Sequence, residues 1–364
     1  MLYFAAGSAI LFRPQKPRAG SLVYTMRYKH VCLEAFGYAI PPQIVTSSAI
    51  EDKLATLYNK LKLPFGRLEM MSGIKERRFW EPQTLPSDAS YLAGKDALQK
   101  SQINPAEIEV LLHTSVCRDM LEPASACFAH QKLGLPQDVM VYDLSNACLG
   151  FLNGMVNLAN MIELGQVKRG LIVAGESSRQ LVESTIDNLL KMPNPSRDNI
   201  KEAFASLTIG SGACAVVLSH ESVTRFGHRL VGGAVQCASQ FNHLCRGNAG
   251  NMSTDSETLL QEGCKLARQT WARTREILGW TNDMVSRVFC HQVGSAHRRL
   301  LFQTLELESK KDFSTLEFLG NTGSVALPIT MAIGTEQSPP EKGDKIALLG
   351  IGSGLNCLML GVQW

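Results

Sequence analysis

Short apolar segments alternate with helical segments along almost the whole chain, and this alternation constrains the fold most. Buried strands are predicted near residues 31–36, 109–115, 139–142, 169–174, 212–218, 229–237, 285–289, 345–349 and 357–362. Helices are predicted at residues 47–62, 87–102, 149–161, 255–278 and 322–334, from Pro123, from about Ala296, and in a polar insertion around 180–205. Strands that alternate with helices are typical of parallel sheets covered on both faces. The sequence therefore predicts an α/β protein.

The order of the elements is comparable in the two halves of the chain, and 364 residues suffice for two similar units. We therefore expect a five-layered αβαβα fold, with an N-terminal half at residues 28–225 and a C-terminal half at residues 226–364. Residues 1–27 stand apart, because an apolar start is followed by basic residues, the reverse of a signal peptide. They are predicted to be a disordered arm or an extension from an upstream start, with Met26 opening the domain.

Composition excludes several classes of function. Charged residues are 19% and hydrophobic residues 45% of the chain, and the net charge of +3 shows no basic block suited to nucleic acid. No apolar run is long enough to span a bilayer. The ten cysteines are scattered without a CxxC pair, which favours a reducing cytoplasm over a disulfide framework. Cys237, His243 and Cys245 lack a second ligand pair at matching spacing, so no zinc site is predicted.

Cys148 is the strongest candidate for catalysis. It lies between the apolar strand at 139–142 and the apolar helix at 149–161, in a predicted strand–turn–helix unit. A thiol at a helix start faces unpaired N–H groups and the positive end of the helix dipole, which favour the thiolate. The thiolate is the nucleophile in covalent catalysis. The alternative is a buried, inert cysteine.

Two further polar residues lie at the ends of predicted elements. His291 ends an apolar strand, where a histidine can donate a hydrogen bond to a carbonyl or exchange a proton. Asn321 is flanked by glycines and lies between an extended segment and a helix, so the backbone there could approach a reacting atom closely. It could equally serve only as a helix cap. Taken alone, either residue could be structural.

The glycine-rich segment at residues 350–354 imitates a dinucleotide-binding motif. That motif must open a helix and a βαβ unit, yet only ten residues follow Gly354. The dinucleotide interpretation is therefore rejected. A backbone N–H group in this turn could instead serve an oxyanion hole together with the N–H group of Cys148.

Together these residues resemble the Cys-His-Asn site of the thiolase superfamily, and the nearest branch is similar to the ketoacyl synthase III enzymes. Segments 114–123, 145–154, 244–248 and 349–357 narrow the resemblance to the head-to-head acyl-CoA condensing enzymes of olefin biosynthesis. This resemblance covers about residues 28–364. It implies a homodimer in which Glu122 is a base contributed across the interface, and it assigns the second oxyanion N–H group to Ser353. By itself, Glu122 before Pro123 is a surface carboxylate.

The resemblance implies a non-decarboxylative Claisen condensation of two long-chain acyl-CoAs through an acyl-cysteine, giving a 2-alkyl-3-oxo acid. Without a malonyl donor, a base must remove a weakly acidic α-proton, which gives Glu122 its purpose. Coenzyme A would be part of the substrate, and no cofactor is expected. Downstream olefin-pathway enzymes are expected partners. The alternatives are a decarboxylating 3-oxoacyl synthase III, an acyl-CoA-dependent acyltransferase, or a non-catalytic acyl-CoA-binding module on the same fold.

Overall fold

The computed structural model describes residues 26–364, so most of the predicted N-terminal arm lies outside the described residues. The strands are β1 Met26–Arg27, β2 Val31–Ala39, β3 Gln43–Thr46, β4 Glu76–Phe79, β5 Val110–His113, β6 Met140–Asp143, β7 Arg169–Glu176, β8 Gly212–His220, β9 His228–Cys237, β10 Cys245–Asn248, β11 Asn251–Thr254, β12 Arg287–Cys290, β13 Lys345–Gly352 and β14 Asn356–Gln363.

The helices follow the predicted rhythm. They are α1 Ser47–Lys53, α2 Ala55–Leu61, α3 Arg67–Ser72, α4 Pro86–Ser101, α5 Ser125–Leu133, α6 Gly150–Glu163, α7 Arg179–Lys191, α8 Arg197–Ala203, α9 Ser256–Leu278, α10 Ser295–Leu305, α11 Leu316–Leu319 and α12 Ala326–Gln337. None of these helices combines the length and apolar character needed to cross a membrane.

The main sheet has ten strands in the order β12-β13-β14-β9-β2-β8-β7-β5-β6, with β1 paired to β9. The order outward from the centre repeats, because β2-β8-β7-β5 on one side matches β9-β14-β13-β12 on the other. Pairs β5–β6, β5–β7 and β12–β13 are parallel, whereas β7–β8, β2–β8, β13–β14 and β9–β14 are antiparallel. The expectation of parallel sheets therefore holds only for these three pairs, because β8 and β14, the last strand of each half, run antiparallel to both of their neighbours.

Helices α6 and α12 lie between the two halves of the sheet. One core contains side chains of both helices together with one face of β5, β7 and β8 and one face of β13 and β14. In α12 every residue from Ala326 to Gly334 is buried, as expected of a helix covered all round. Each buried Leu, Ile or Met there contributes about 1.5–3 kcal/mol relative to an exposed one. Because α6 and α12 contact one face of each half of the sheet, the sheet must bend where β2 meets β9.

The outer faces of the sheet carry the remaining layers. Side chains of α4 and α5 pack against the outer face of β5, β7 and β8, and those of α9 and α10 pack against β12, β13 and β14. The close approach of α4 requires Gly37 in β2, because a Cβ there would lie 2.1 Å from the Ala97 nitrogen. The layers thus run helices, sheet, helices, sheet, helices, and the five-layered αβαβα prediction is confirmed.

Some local predictions are wrong for identifiable reasons. The helix predicted at residues 47–62 is broken at Leu54, and its cap is Thr46, whose side chain accepts the Ala49 N–H. The Glu51 carboxylate of α1 accepts the N–H groups of Gly66 and Leu68 and so ties α1 to the start of α3.

Three other segments differ from the sequence interpretation. Strand β4 lies outside the predicted strands, and the exposed hairpin β10–β11 carries no apolar alternation that would have indicated strands. Pro123 does not open a helix, since α5 begins two residues later at Ser125.

Candidate active site

Four of the five predicted site residues follow the carboxyl end of a strand, whereas Asn321 follows α11. Cys148 comes shortly after β6, the loop with Glu122 follows β5, His291 follows β12 directly, and Ser353 follows β13 directly. Sites of open α/β sheets collect at this edge. The two halves of the chain therefore contribute to one region around the ends of α6 and β13.

The turn that carries Cys148 is tight. Ala147 has a φ of 47°, a backbone region that residues with a Cβ seldom adopt. Residue 150 must be glycine, because a Cβ there would lie 2.3 Å from the Thr114 carbonyl oxygen. Helix α6 starts at Gly150 with Leu149 as its N-cap, so Cys148 lies one residue outside the cap.

The environment of the Cys148 sulfur differs from the expectation of a thiolate. Burial raises the pKa of the Cys148 thiol to about 12, and nearby Cys245 and Glu176 also raise it. The backbone N–H groups of Cys148 and Ser353 act in the opposite direction, but they do not offset burial. The prediction of an ionised sulfur is wrong for the substrate-free site: the resting group is a neutral thiol.

The turn between β13 and β14 brings the second N–H group to the sulfur. A Cβ at Gly352 would lie 3.6 Å from the Cys148 Cβ, so the turn is in contact with the nucleophile segment. The Asn356 side-chain amide donates to the Ser353 carbonyl at 3.3 Å and fixes the turn from its far side. Two N–H groups, one from each half of the chain, thus converge on Cys148.

His291 is buried, and its backbone N–H donates to the Leu349 carbonyl of β13 at 3.0 Å. Burial, with a smaller effect of nearby His297, lowers the pKa of His291 to about 3. The ring is therefore neutral near pH 7 and carries one N–H donor. The following residue, Gln292, holds the segment in place, since its amide oxygen accepts the Thr315 N–H at 3.0 Å.

Asn321 is 8% exposed and lies between two glycines. Its backbone carbonyl accepts the Gly210 N–H at 2.8 Å, and its side-chain oxygen accepts the Gly323 N–H at 3.1 Å. That second bond shapes the turn before the 3-10 helix at Gly323–Val325 and leaves the side-chain NH₂ group free to donate elsewhere. Asn321 is not the N-cap of α12, which is Val325. The cap-like role predicted as the alternative is limited to the bond between its side-chain oxygen and the Gly323 N–H.

Glu122 is not brought to Cys148 within one chain. It is exposed on the loop between β5 and α5, beside Leu121, which is 94% exposed. The loop is nevertheless anchored, because the Asp119 N–H donates to the Ser125 hydroxyl at 2.9 Å and the Asp119 carboxylate accepts the Ser87 N–H at 2.9 Å. Glu122 is thus exposed on a loop that is anchored at Asp119.

The sequence interpretation missed two groups near the sulfur. Glu176 ends β7, is 5% exposed, and lies close enough to Cys148 to affect its pKa. Cys245 begins the β10–β11 hairpin, and its sulfur accepts the Thr254 hydroxyl at 3.4 Å. The sequence did contain one signal for Glu176, since it is a charged residue at the end of an otherwise apolar strand segment. Within residues 26–364 no group of His, Cys, Asp and Glu side chains forms a metal cluster.

Comparisons with known proteins agree with this geometry. The family model 3-oxoacyl-[acyl-carrier-protein] synthase III matches residues 142–233, and the model of its C-terminal region matches residues 276–364. An acyl-CoA:acyl-CoA alkyltransferase of Shewanella oneidensis is 40% identical over 351 residues, which cover 93% of this chain and 100% of that protein.

This chain belongs to the acyl-CoA:acyl-CoA alkyltransferase family. A second alkyltransferase, from Xanthomonas campestris, is 34% identical and is covered over 100% of its length by 93% of this chain. A beta-ketoacyl-[acyl-carrier-protein] synthase III of Geobacillus kaustophilus is only 25% identical. The predicted membership of the thiolase superfamily, in its ketoacyl synthase III-like branch, is confirmed.

Solved structures of an alkyltransferase-family neighbour have the same fold. A crystal structure of Xanthomonas campestris OleA, in a variant with a glutamate replaced by alanine, superposes with a TM-score of 0.91 at 34% identity. The superposition covers 94% of this chain and 100% of the OleA chain. A cysteine-to-serine variant of that OleA, crystallised with bound lauric acid and lauroyl-CoA, superposes with a TM-score of 0.90 at 34% identity over 93% of this chain.

Proposed function

We propose that this protein joins two fatty acyl-CoAs by a non-decarboxylative Claisen condensation, using Cys148 as the nucleophile. The observation that carries the proposal is the convergence of the Cys148 and Ser353 N–H groups on the Cys148 sulfur. Such a pair is suited to the oxyanion of a thioester attacked by that sulfur. The family name and the lauroyl-CoA in the neighbouring structure support acyl-CoA as the substrate class.

In the first half-reaction the Cys148 sulfur attacks the thioester carbonyl of one acyl-CoA. The thiol proton passes by way of the neutral His291 ring to the departing CoA sulfur, so the products are acyl-Cys148 and free CoA. Because the resting thiol is neutral, it must lose its proton as the sulfur attacks the bound thioester. The two N–H groups hold the negative oxygen during the transfer.

In the second half-reaction the carbonyl of a second acyl-CoA accepts hydrogen bonds from the His291 ring and the Asn321 amide. Glu122 of the partner subunit removes the α-proton, and the carbanion attacks the acyl-cysteine and releases the Cys148 sulfur. The proton held by Glu122 then returns to that sulfur. Hydrolysis of the remaining thioester gives a 2-alkyl-3-oxo acid and a second free CoA. Two acyl-CoAs and one water thus give one keto acid and two CoA molecules.

A homodimer would bring Glu122 to the second site. Strand β6 ends the described sheet with one edge unpaired, and its first residue, Met140, is 50% exposed. The neighbouring loop exposes Val116, Met120 and Leu121. An open edge beside exposed apolar side chains is suited to pairing with a second copy. We propose that this edge forms the interface and that Glu122 crosses it.

We place the reaction at the start of long-chain olefin biosynthesis, with downstream enzymes as partners and no cofactor besides the CoA of the substrates. All ten cysteines are free, which supports a reducing cytoplasm. The rival is a decarboxylating 3-oxoacyl synthase III, supported by the family models. The presence of a carboxylate at Glu122 favours the condensation, since a decarboxylating enzyme needs no such base.

Incubation with a labelled fatty acyl-CoA alone tests the proposal. Condensation requires no malonyl donor, so labelled keto acid and its ketone decarboxylation product should accumulate with two CoA molecules released for each. A decarboxylating synthase or a simple acyltransferase would stop at acyl-Cys148 or free acid. A non-catalytic binding module would leave Cys148 unmodified.

A further inference from the structure

We propose that Glu176 is a positioning residue that locks the loop carrying Glu122 to the loop carrying Asn321. This inference rests on the proposed function, in which Asn321 acts in the site of its own subunit and Glu122 acts in the site of the partner subunit. Glu176 lies at the end of β7, between the two loops and beside the nucleophile. Its carboxylate accepts hydrogen bonds from backbone N–H groups of both loops and from one hydroxyl.

Each loop donates to the Glu176 carboxylate. From the Glu122 loop, the Val116 N–H donates to Oε1 at 2.8 Å and the Cys117 N–H to Oε2 at 3.1 Å. From the Asn321 loop, the Ser324 N–H and hydroxyl donate to Oε1 at 3.3 Å and 2.5 Å. One side chain thus fixes the relative position of two segments that are more than 200 residues apart in the sequence.

The backbone of the Asn321 loop is shaped around this carboxylate. Gly323 has a φ of +59°, and a Cβ there would lie 3.3 Å from the Glu176 Oε1 atom. The same turn presents the Gly323 N–H to the Asn321 side-chain oxygen and the Ser324 N–H to Glu176. The orientation of the Asn321 amide and the position of the Glu122 loop are therefore coupled through Glu176.

The donor set also separates Glu176 from the role of the base. Both of its oxygens already accept hydrogen bonds from the two loops within a buried site, so neither is free to face a substrate α-proton. Glu122 is exposed and has no such set of donors. Glu176 therefore positions, whereas Glu122 is the residue available to remove a proton.

Two half-reactions of one variant provide the test. In Glu176→Gln the amide NH₂ group must face an N–H donor of one loop, so we expect condensation to fall at least ten-fold. Loss of the negative charge near the sulfur should at the same time lower the pKa of Cys148. Alkylation of Cys148 by iodoacetamide should then reach its half-maximal rate at a lower pH than in the wild type, and acylation by acyl-CoA should persist.

Two further variants sharpen the result. Ser324→Ala removes one donor of the Asn321 loop only, so its loss of condensation should be smaller, and adding it to Glu176→Gln should cost less than the product of the two effects. Glu34→Gln is the matched control, because Glu34 is 3% exposed and accepts the Arg225 N–H at 3.0 Å. Glu34 and Glu176 lie near opposite ends of β8. Leu33, next to Glu34, pairs with Leu218 at one end, and Glu176 pairs with Gly212 at the other.

Near wild-type condensation in Glu176→Gln would overturn the inference, as would parallel loss of acylation and condensation. If Glu176→Gln does not fold, condensation by Ser324→Ala at the level of Glu34→Gln would overturn it. Failure of the proposed function is distinguishable, because the wild-type protein itself would then form acyl-Cys148 without keto acid.

Discussion

The backbone N–H of Ser353 faces the sulfur of Cys148, and the two residues come from opposite halves of the chain. The contact exists because the β13–β14 turn lies against the segment that opens α6, with Gly352 beside Cys148. A complete pocket for a thioester oxyanion therefore requires both halves to be packed together. The nucleophile segment alone supplies one of its two donors.

Replacing Cys148 by alanine or serine should abolish covalent capture of the acyl group, because the attacking sulfur is removed. Intact-protein mass spectrometry after incubation with acyl-CoA measures this directly. Cys237→Ala is the control, since Cys237 is an exposed cysteine at the end of β9 and should leave acylation unchanged. An acyl adduct of undiminished yield on Cys148→Ala would show that another residue is the nucleophile.

Glu122→Ala should retain acylation of Cys148 and lose carbon–carbon bond formation by roughly 10²–10⁴-fold, the usual contribution of a general base. Adduct formation and keto acid production should be measured on the same sample. Asp283→Ala removes another exposed carboxylate, which precedes β12 at the end opposite His291, and should change neither reaction. Condensation at a near wild-type rate in Glu122→Ala would contradict the base assignment.

Gly350→Ala should destabilise the fold through overpacking. A Cβ at residue 350 would lie 2.5 Å from Leu152 Cδ1 and 2.8 Å from the Leu358 carbonyl oxygen. Overpacking of this kind costs about 1–3 kcal/mol in the free energy of unfolding, measured by urea denaturation. Gly250→Ala is the control, because its Cβ would meet only Asn248 at 3.9 Å. Equal stability of the two variants would contradict the close packing of β13 on α6.

Stability should fall as the pH drops below about 6.5, in part because of His291 and His297. Burial lowers the pKa of His291 to about 3 and that of His297 to about 4. Between these values and about 6.5 the unfolded chain binds protons that the folded chain does not, which costs at most about 1.4 kcal/mol per pH unit for each histidine.

The variant His297→Gln isolates one of these contributions. Its free energy of unfolding should decline less between pH 7 and pH 5 than that of the wild type, as urea denaturation at the two pH values would measure. An identical decline in both proteins would show that His297 is not held neutral by the fold.

The sequence was sufficient for the layered architecture, because strands and helices buried on both sides leave long apolar runs such as those of β8 and α12. It did not determine strand direction, since a buried strand has the same composition in a parallel and an antiparallel pair. The exposed hairpin β10–β11 had no hydrophobic pattern to indicate it.

Within the site, position in the sequence indicated Cys148, His291 and Asn321 because each follows or precedes an apolar element. The protonation state of Cys148 was predicted wrongly, because the helix dipole is readable from the sequence whereas the extent of burial is not. The contacts of Glu176 were equally inaccessible, because its donors come from residues 116–117 and 324, which only the tertiary fold brings together.

The most direct test of the condensation uses two fatty acyl-CoAs of different chain length and mass spectrometry of the products. The proposed reaction predicts three keto acids or ketones, two from like chains and one mixed product containing both, with two CoA molecules released per product. Free fatty acids and acyl-Cys148 alone, with no product that combines two chains, would contradict it.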